Sequence, residues 1–171
     1  GDISEMFHRI FMRKEDRDSL RFLFRRSQNE AIKVLRMKVM IFGSKSSPTT
    51  SQYVKNKVAI EHKSQYPEAC DIIVNKTYVD DVVFAVDDVK QGQKLIKQIR
   101  DILSSAGFNL VKLKSNEENM FDVIKQNCTE TELNDSKLFS KEVQEKLLGY
   151  LLNFEHDFMQ IALTLEKIPE E

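Results

Sequence analysis

The hydrophobic pattern changes period several times along the chain, and each change predicts an element boundary. Residues 1–7 form an apolar, strand-compatible segment with the carboxylate of Asp2 at its start. Arg13 to Ser19 is a charged turn. Leu20 to Arg26 and Val34 to Phe42 then read as two strands, the second alternating Val34, Arg36 and Lys38 against Leu35, Met37 and Val39. The segment Phe42-Gly43-Ser44-Lys45-Ser46-Ser47-Pro48 breaks that alternation. Ser47 followed by Pro48 predicts a helix start, a hydroxyl cap ahead of the one helical position where proline is welcome. The helix is expected to run into the sixties with Val54, Val58 and Ala59 on its inner face. It should stop near Tyr66-Pro67, because a residue before proline is pushed out of helical geometry.

Ile72-Ile73-Val74 and Val82-Val83-Phe84-Ala85-Val86 read as the arms of a hairpin, with Tyr78-Val79-Asp80-Asp81 at its turn. Asp88 and Gln91 make a capping box. Gly92, Leu95, Ile96, Ile99, Leu103 and Ala106 recur at helical spacing, Gly107 is the stop, and Phe108 to Lys114 is a strand. With Arg9 to Lys45 set aside, the order is strand, helix, hairpin, helix, strand. That is the split β-α-β, ferredoxin-like α+β arrangement, an antiparallel sheet with two helices on one face. It places Asp2 and the Asp80-Asp81 turn on neighbouring strands. Ser115 to Val143 is polar, with a helix near Phe121–Ile124. Lys146 to Leu152 and Phe158 to Leu163 look like a second hairpin joined through Asn153 to Asp157, and Ile168 to Glu171 is expected to fray. The expected organisation is a core over 1–115, a polar connection over 116–143 and a C-terminal hairpin over 144–165. There are no internal repeats.

At 171 residues the chain is one domain, or one and a piece. Its 26 Lys and Arg against 27 Asp and Glu give no net-charge argument for a polyanion partner. The basic residues gather in the first half, from Arg9 to Lys45, which fits one basic face and an ordinary solvated surface about equally. No apolar run reaches membrane-spanning length and no secretory signal opens the sequence, so no membrane partner is expected. Cys70 and Cys128 have neither metal-ligand spacing nor a disulfide framework, which reads as a reduced, intracellular and cytoplasmic protein. His8, His62 and His156 share no metal spacing and read as surface or structural.

The chemistry concentrates at Asp80-Asp81. A two-residue hairpin turn prefers Asn-Gly or Asp-Gly, which supply positive φ at little cost. This turn has neither and adds like-charge repulsion, so it needs another reason to exist. A divalent cation is one, since hard carboxylates bind it well. An ordinary solvated Asp turn is the other.

Taken together, these segments resemble the palm of a retroelement reverse transcriptase, most closely that of the BEL/Pao class of LTR retrotransposons. The matching pieces are Asp2 to Phe7 (Asp-Ile-x-x-Met-Phe), Arg21 to Phe24, and Phe42 to Pro48 (Phe-Gly-x-x-Ser-Ser-Pro). The Tyr-Val-Asp-Asp box Tyr78 to Asp81, Gly107 to Asn116, and the hairpin at Leu148-Gly149 complete the set. They stand in the family's order and cover nearly the whole chain.

The resemblance implies an RNA-directed DNA polymerase that transfers a nucleotidyl group from a dNTP to a primer 3′-hydroxyl on an RNA or DNA template. Two Mg²⁺ ions, with Mn²⁺ as substitute, would assist. Asp2 and Asp80 match the metal-bridging carboxylates, Asp81 is the less direct ligand, and Ile3 adds a backbone carbonyl. Phe7 matches the aromatic that rejects a 2′-hydroxyl, with an ordinary core Phe as the plain alternative. Phe42 and Gly43 would line the nucleotide pocket. Lys112 matches the lysine near the leaving phosphate, and Lys114 is as plausible by spacing. Tyr78, Leu148 and Gly149 would meet the primer, the last two in a primer-grip-like hairpin, with a side chain that merely fills the hairpin face as the plain alternative for Tyr78. Residues 9–45 correspond to partial fingers strands. Departures are Leu113 and Leu151-Leu152 where the family carries aromatics, and the absence of Trp. The remaining fingers, the thumb and RNase H are expected in other segments of a parent polyprotein. Two other readings stand beside this one: a catalytically idle retroelement remnant that at most binds nucleic acid weakly, and another palm-type nucleotidyl enzyme.

Overall fold

In a computed structural model, residues 1–125, 144–147, 150–153 and 158–161 are described. The chain divides into two units, Gly1–Val111 and Lys112–Glu171. In chain order the first unit runs β1 (Asp2–Ser4), β2 (Arg21–Phe24), β3 (Lys33–Arg36), α1 (Ser47–Glu61), α2 (Pro67–Asn75), β4 (Thr77–Tyr78), β5 (Asp81–Val82), α3 (Val89–Ser105) and β6 (Asn109–Val111). Tight helical turns lie at Met6–Arg9 and Lys14–Leu20.

Four of these strands form one antiparallel sheet in the order β4-β5-β1-β6. Ile3 and Leu110 oppose each other across β1 and β6, and both are buried. Asp2, Ser4 and Val111, of the other parity, are only half-buried. The sheet therefore turns one face to the core and the other toward solvent. The core is completed by Leu95, Ile96, Ile99, Ile102 and Leu103 of α3 with Ala59, Ile72 and Ile73 of α1 and α2. Each large apolar side chain among these contributes about 1.5–3 kcal/mol on burial.

The start and stop of α3 follow local chemistry. Asp88 caps it by accepting from Gln91 N (2.9 Å), but the Gln91 side chain donates to Glu68 Oε1 (2.6 Å), so only half of the expected capping box forms. At the other end Phe108 N donates to Leu103 O (3.0 Å) and Gly107 N to Ser104 O (2.9 Å), with Gly107 at φ +77°. This double closure needs a left-handed residue after the cap, and glycine provides it without steric cost. It aims the chain directly into β6.

Several expectations are corrected. Ile72-Ile73-Val74 lies in α2, not in a strand: Pro67 opens the helix, and Ala69, Cys70, Ile72 and Ile73 are buried at helical spacing. A short apolar run suits a buried helix as well as a strand. The hairpin accordingly shrinks to β4 and β5, and the first unit has three helices rather than two. Phe108 to Lys114 is a strand only over β6, because Lys112 takes φ +50° and breaks the extended chain. In α1 the buried line is Ser47, Ser51, Lys55 and Ala59, while Val54 and Val58 are only half-buried. Ser46 occupies the cap position, and Ser47 Oγ donates to Ile41 O (2.7 Å) instead of capping.

The strands expected over Leu20–Arg26 and Val34–Phe42 shorten to β2 and β3, a two-stranded ribbon exposed on both faces. Asp18 braces its base through Arg21 (2.8 Å) and Arg36 (2.7 Å). Those two guanidiniums, Arg21 first, hold the Asp18 carboxyl below its ordinary range. Beyond β3 the chain runs beside Ile10 to Met12, with Phe11 bridged to Val39.

The second unit holds a helical turn at Glu118–Phe121, α4 (Asp122–Lys125), and β7 (Gln144–Leu147), β8 (Tyr150–Asn153) and β9 (Phe158–Ile161) in one antiparallel sheet. The helix expected near Phe121–Ile124 is present. The expected second hairpin is present as β8 and β9, and β7 adds a third strand, because Leu147 pairs with Tyr150 and divides the run Lys146–Leu152 between β7 and β8. Leu148, Gly149, Cys128, His156 and the frayed end expected at 168–171 lie outside the described residues. Among the described residues no helix is long and apolar enough to cross a membrane.

Candidate active site

Asp2 on β1 and Asp81 on β5 are direct register partners. Gly1 and Val82 exchange two backbone bonds beside them (Gly1 N to Val82 O 3.0 Å, Val82 N to Gly1 O 2.8 Å), and on the far side Ile3 N donates to Asp80 O (2.8 Å). The Asp2–Asp81 position is therefore the non-hydrogen-bonded kind, where facing Cα atoms approach most closely, about 4.5 Å. Both side chains belong to the face away from Ile3 and Leu110. Asp80 occupies the turn one residue earlier, its backbone fixed by Ile3. All three aspartates are half-buried. The expectation that Asp2 and the Asp80-Asp81 turn lie on neighbouring strands thus holds in the register. The donors are hard oxygens of the kind Mg²⁺ prefers. Yet among the described residues no three His, Cys, Asp or Glu side chains gather as a set that could hold a metal ion. What the fold supplies is two carboxylates facing each other and a third held next to them by its backbone.

The turn itself is strained. Tyr78 pairs with Asp81, leaving Val79 and Asp80 as its two central residues. Val79 has φ +53° while Asp80 keeps a negative φ, the sign pattern of a hairpin turn that takes glycine first. A β-branched residue in that region is a genuine outlier, costing roughly 1–3 kcal/mol. Val79→Gly is expected to stabilise the chain by about 1 kcal/mol, after glycine's greater loss of chain entropy is subtracted. A raised urea midpoint would show it; a lowered one would mean that the valine side chain outweighs its backbone strain.

A second cluster gathers aromatic rings. Phe7, in the turn after β1, is nearly buried at 8% exposure, and its ring centroid lies 4.8 Å from that of Phe42. Phe42 is 65% exposed, and His8 meets it edge-on at 5.5 Å. The cluster therefore grades from the core at Phe7 to the surface at Phe42 and His8. Gly43 follows at φ +86°, and a Cβ built there would meet nothing within 4 Å, so its backbone is open to a ligand. Ser47 anchors this corner from the start of α1 through its bond to Ile41 O. His8, a surface or structural residue by its sequence context, joins the corner through its ring. That contact with Phe42 has no sequence signal beyond adjacency to Phe7.

Lys55 carries no signal in the sequence that would single it out. It is fully buried (0% exposed), and Nζ donates to Ile73 O (2.7 Å) near the end of α2. Burial pushes its amine down to about 8. Apolar periodicity could not have found it.

Of the other residues named from the sequence, Tyr78 is the register partner of Asp81. It is 61% exposed on β4. Lys112 is exposed and directly follows β6; Lys114 is half-buried; both belong to the second unit. Cys70 is a buried thiol on α2, and His62 Nδ1 lies 2.9 Å from Val58 O, both structural placements. The family model described as Reverse transcriptase (RNA-dependent DNA polymerase) matches residues 1–152. Among curated proteins, none matches the chain.

Proposed function

Because the chain belongs to the reverse transcriptase family of nucleotidyltransferases, we propose that Asp2, Asp80 and Asp81 are the carboxylate centre for adding deoxynucleotides to a primer 3′-hydroxyl. The observation that carries this reading is the register of Asp2 against Asp81, with Asp80 bonded to Ile3 beside them. Phosphoryl transfer asks a protein chiefly for positioning and charge compensation, and two adjacent inner strands of a sheet suit both. The strand order β4-β5-β1-β6 fits a polymerase palm of the split β-α-β kind. The boxes from Asp2 to Asn116 favour BEL/Pao elements as the source.

Asp2, Asp80 and Asp81, with the Ile3 carbonyl, would hold two Mg²⁺ ions. When bound, such ions make the hydroxyl a better nucleophile and stabilise the departing pyrophosphate. Phe7 would close the pocket beneath the sugar, while Phe42 and the open backbone of Gly43 would line it. Tyr78, exposed on the hairpin, would meet a primer end. By the family likeness, Lys112 or Lys114 would serve the leaving phosphates and Leu148-Gly149 the primer strand. In this reading residues 1–115 form the palm with partial fingers strands at about 9–45, 116–143 a connection, and 144–165 a primer-grip-like segment.

The test is extension of a labelled primer on an RNA template with dNTPs and Mg²⁺. Template-complementary products that EDTA abolishes are expected. No extension together with no Mn²⁺ binding would leave the idle remnant as the better reading.

A further inference from the structure

The α2 helix ends immediately before the hairpin that carries Asp80 and Asp81, and its last carbonyls need partners because no further helical N–H groups follow. Ile72 O accepts from Lys76 N (2.9 Å) and from Thr77 Oγ1 (3.3 Å). Ile73 O accepts from Lys55 Nζ (2.7 Å), a donor that reaches it from α1. Lys76 O in turn accepts from Val83 N (3.2 Å), which closes the base of the hairpin. Lys55 thus holds the carbonyl next to Ile72 O, which itself ties Lys76 and Thr77, and Lys76 O in turn ties Val83 at the base of the hairpin. The same α1 helix is tied at its start to Ile41, beside Phe42, by Ser47.

A fully buried lysine is costly, and an apolar side chain of similar length would pack there without that cost. At this point the ammonium supplies a charge-assisted bond to a helix C-terminus, where positive charge is favoured. Its amine lies well below the ordinary lysine range through burial, with no carboxylate among the causes.

We infer that Lys55 is a positioning residue for the Asp80-Asp81 hairpin: by capping Ile73 O it fixes the exit of α2 and hence the backbone from which the two carboxylates project. The inference rests on the proposed carboxylate centre for its meaning, though not for its test. It makes α1 the member that links the Phe42-Gly43 corner to the hairpin, so that both sides of the site share one support.

The experiment compares wild type with Lys55→Met, which keeps the length and loses the donor, using amide hydrogen exchange, thermal melting and Mn²⁺ binding followed by paramagnetic resonance. Amides from Lys76 to Val83 are expected to exchange about tenfold faster in the variant, while amides in the middle of α1 and α2 keep their wild-type rates. The melting temperature should change little, since the relief of a buried charge is offset by the Ile73 carbonyl left without its donor, and Mn²⁺ affinity should fall at least threefold. Unchanged hairpin exchange would overturn the inference, as would faster exchange spread equally over both helices. If Lys55→Met does not fold, Lys55→Gln, which retains a shorter donor, is measured in the same way and should show exchange between wild type and full loss. If neither folds, Lys55 is a general core residue and the inference falls. Absence of Mn²⁺ binding in the wild type would count against the carboxylate centre alone, and the exchange data would still decide the role of Lys55.

Discussion

Asp80→Asn is expected to lower primer extension by about a thousandfold and to leave the fold intact. The two halves of this expectation come from different atoms. The backbone oxygen of Asp80 makes the bond to Ile3 N (2.8 Å), and asparagine keeps it, so the hairpin stays on β1. The side chain alone changes, from a charged hard-oxygen donor to a neutral amide that binds divalent cations weakly. If charge compensation at the reacting phosphate supplies several kcal/mol, losing about 4 kcal/mol corresponds to roughly a 10³-fold slower reaction. Removing one of three neighbouring negative charges should also leave the melting temperature unchanged or slightly raised. Extension rates and a circular-dichroism melt on the same preparation check both halves. A variant that melts normally and extends within tenfold of wild type would remove Asp80 from the chemistry.

That Asp2 and the Asp80-Asp81 turn lie on neighbouring strands was legible in the sequence because it depends on coarse features. The element order strand, helix, hairpin, helix, strand carries it, since the split β-α-β arrangement sets the first strand beside the second arm of the hairpin even though the first arm lies at Thr77-Tyr78 and not at Ile72–Val74. The poor turn chemistry was legible too: without glycine, one of Val79 and Asp80 had to accept strain, and Val79 does so at φ +53°. What stayed hidden was structure whose inner face is polar. The buried line of α1 reads Ser47, Ser51, Lys55 and Ala59, and a search for apolar residues at helical spacing favours Val54 and Val58. Those buried polar groups are tolerated because Ile41 O, Pro48 O and Ile73 O accept from them; Ser51 bonds back within its own helix, while Ser47 and Lys55 find partners that lie outside any sequence pattern. The run Ile72–Val74 misled for a related reason. Its β-branched composition suits a strand, but its neighbours Ala69 and Cys70 share its buried face only when the segment is helical.

Phe7→Val is expected to relax the preference for deoxyribonucleotides by about a hundredfold, the size of discrimination that shape alone provides when one hydroxyl is added to a substrate. Phe7 is suited to this because it cannot readily yield. It is 8% exposed, its ring lies 4.8 Å from that of Phe42, and it follows a β1 strand pinned on both sides. Valine removes the far edge of the ring while keeping the position apolar. The change also costs stability, about 2 kcal/mol for the buried ring atoms removed and the space they leave, and a smaller folded fraction would lower all rates together. The measurement is therefore the ratio of kcat/KM for a dNTP to that for the matching rNTP, in which the folded fraction cancels. The wild-type ratio should fall steeply in Phe7→Val. Phe42→Ala, which alters the exposed partner, should raise KM for both nucleotides while moving the ratio little. A ratio that Phe42→Ala changes as much as Phe7→Val would shift the discriminating contact to the outer ring, and Phe7 would then be core and nothing more.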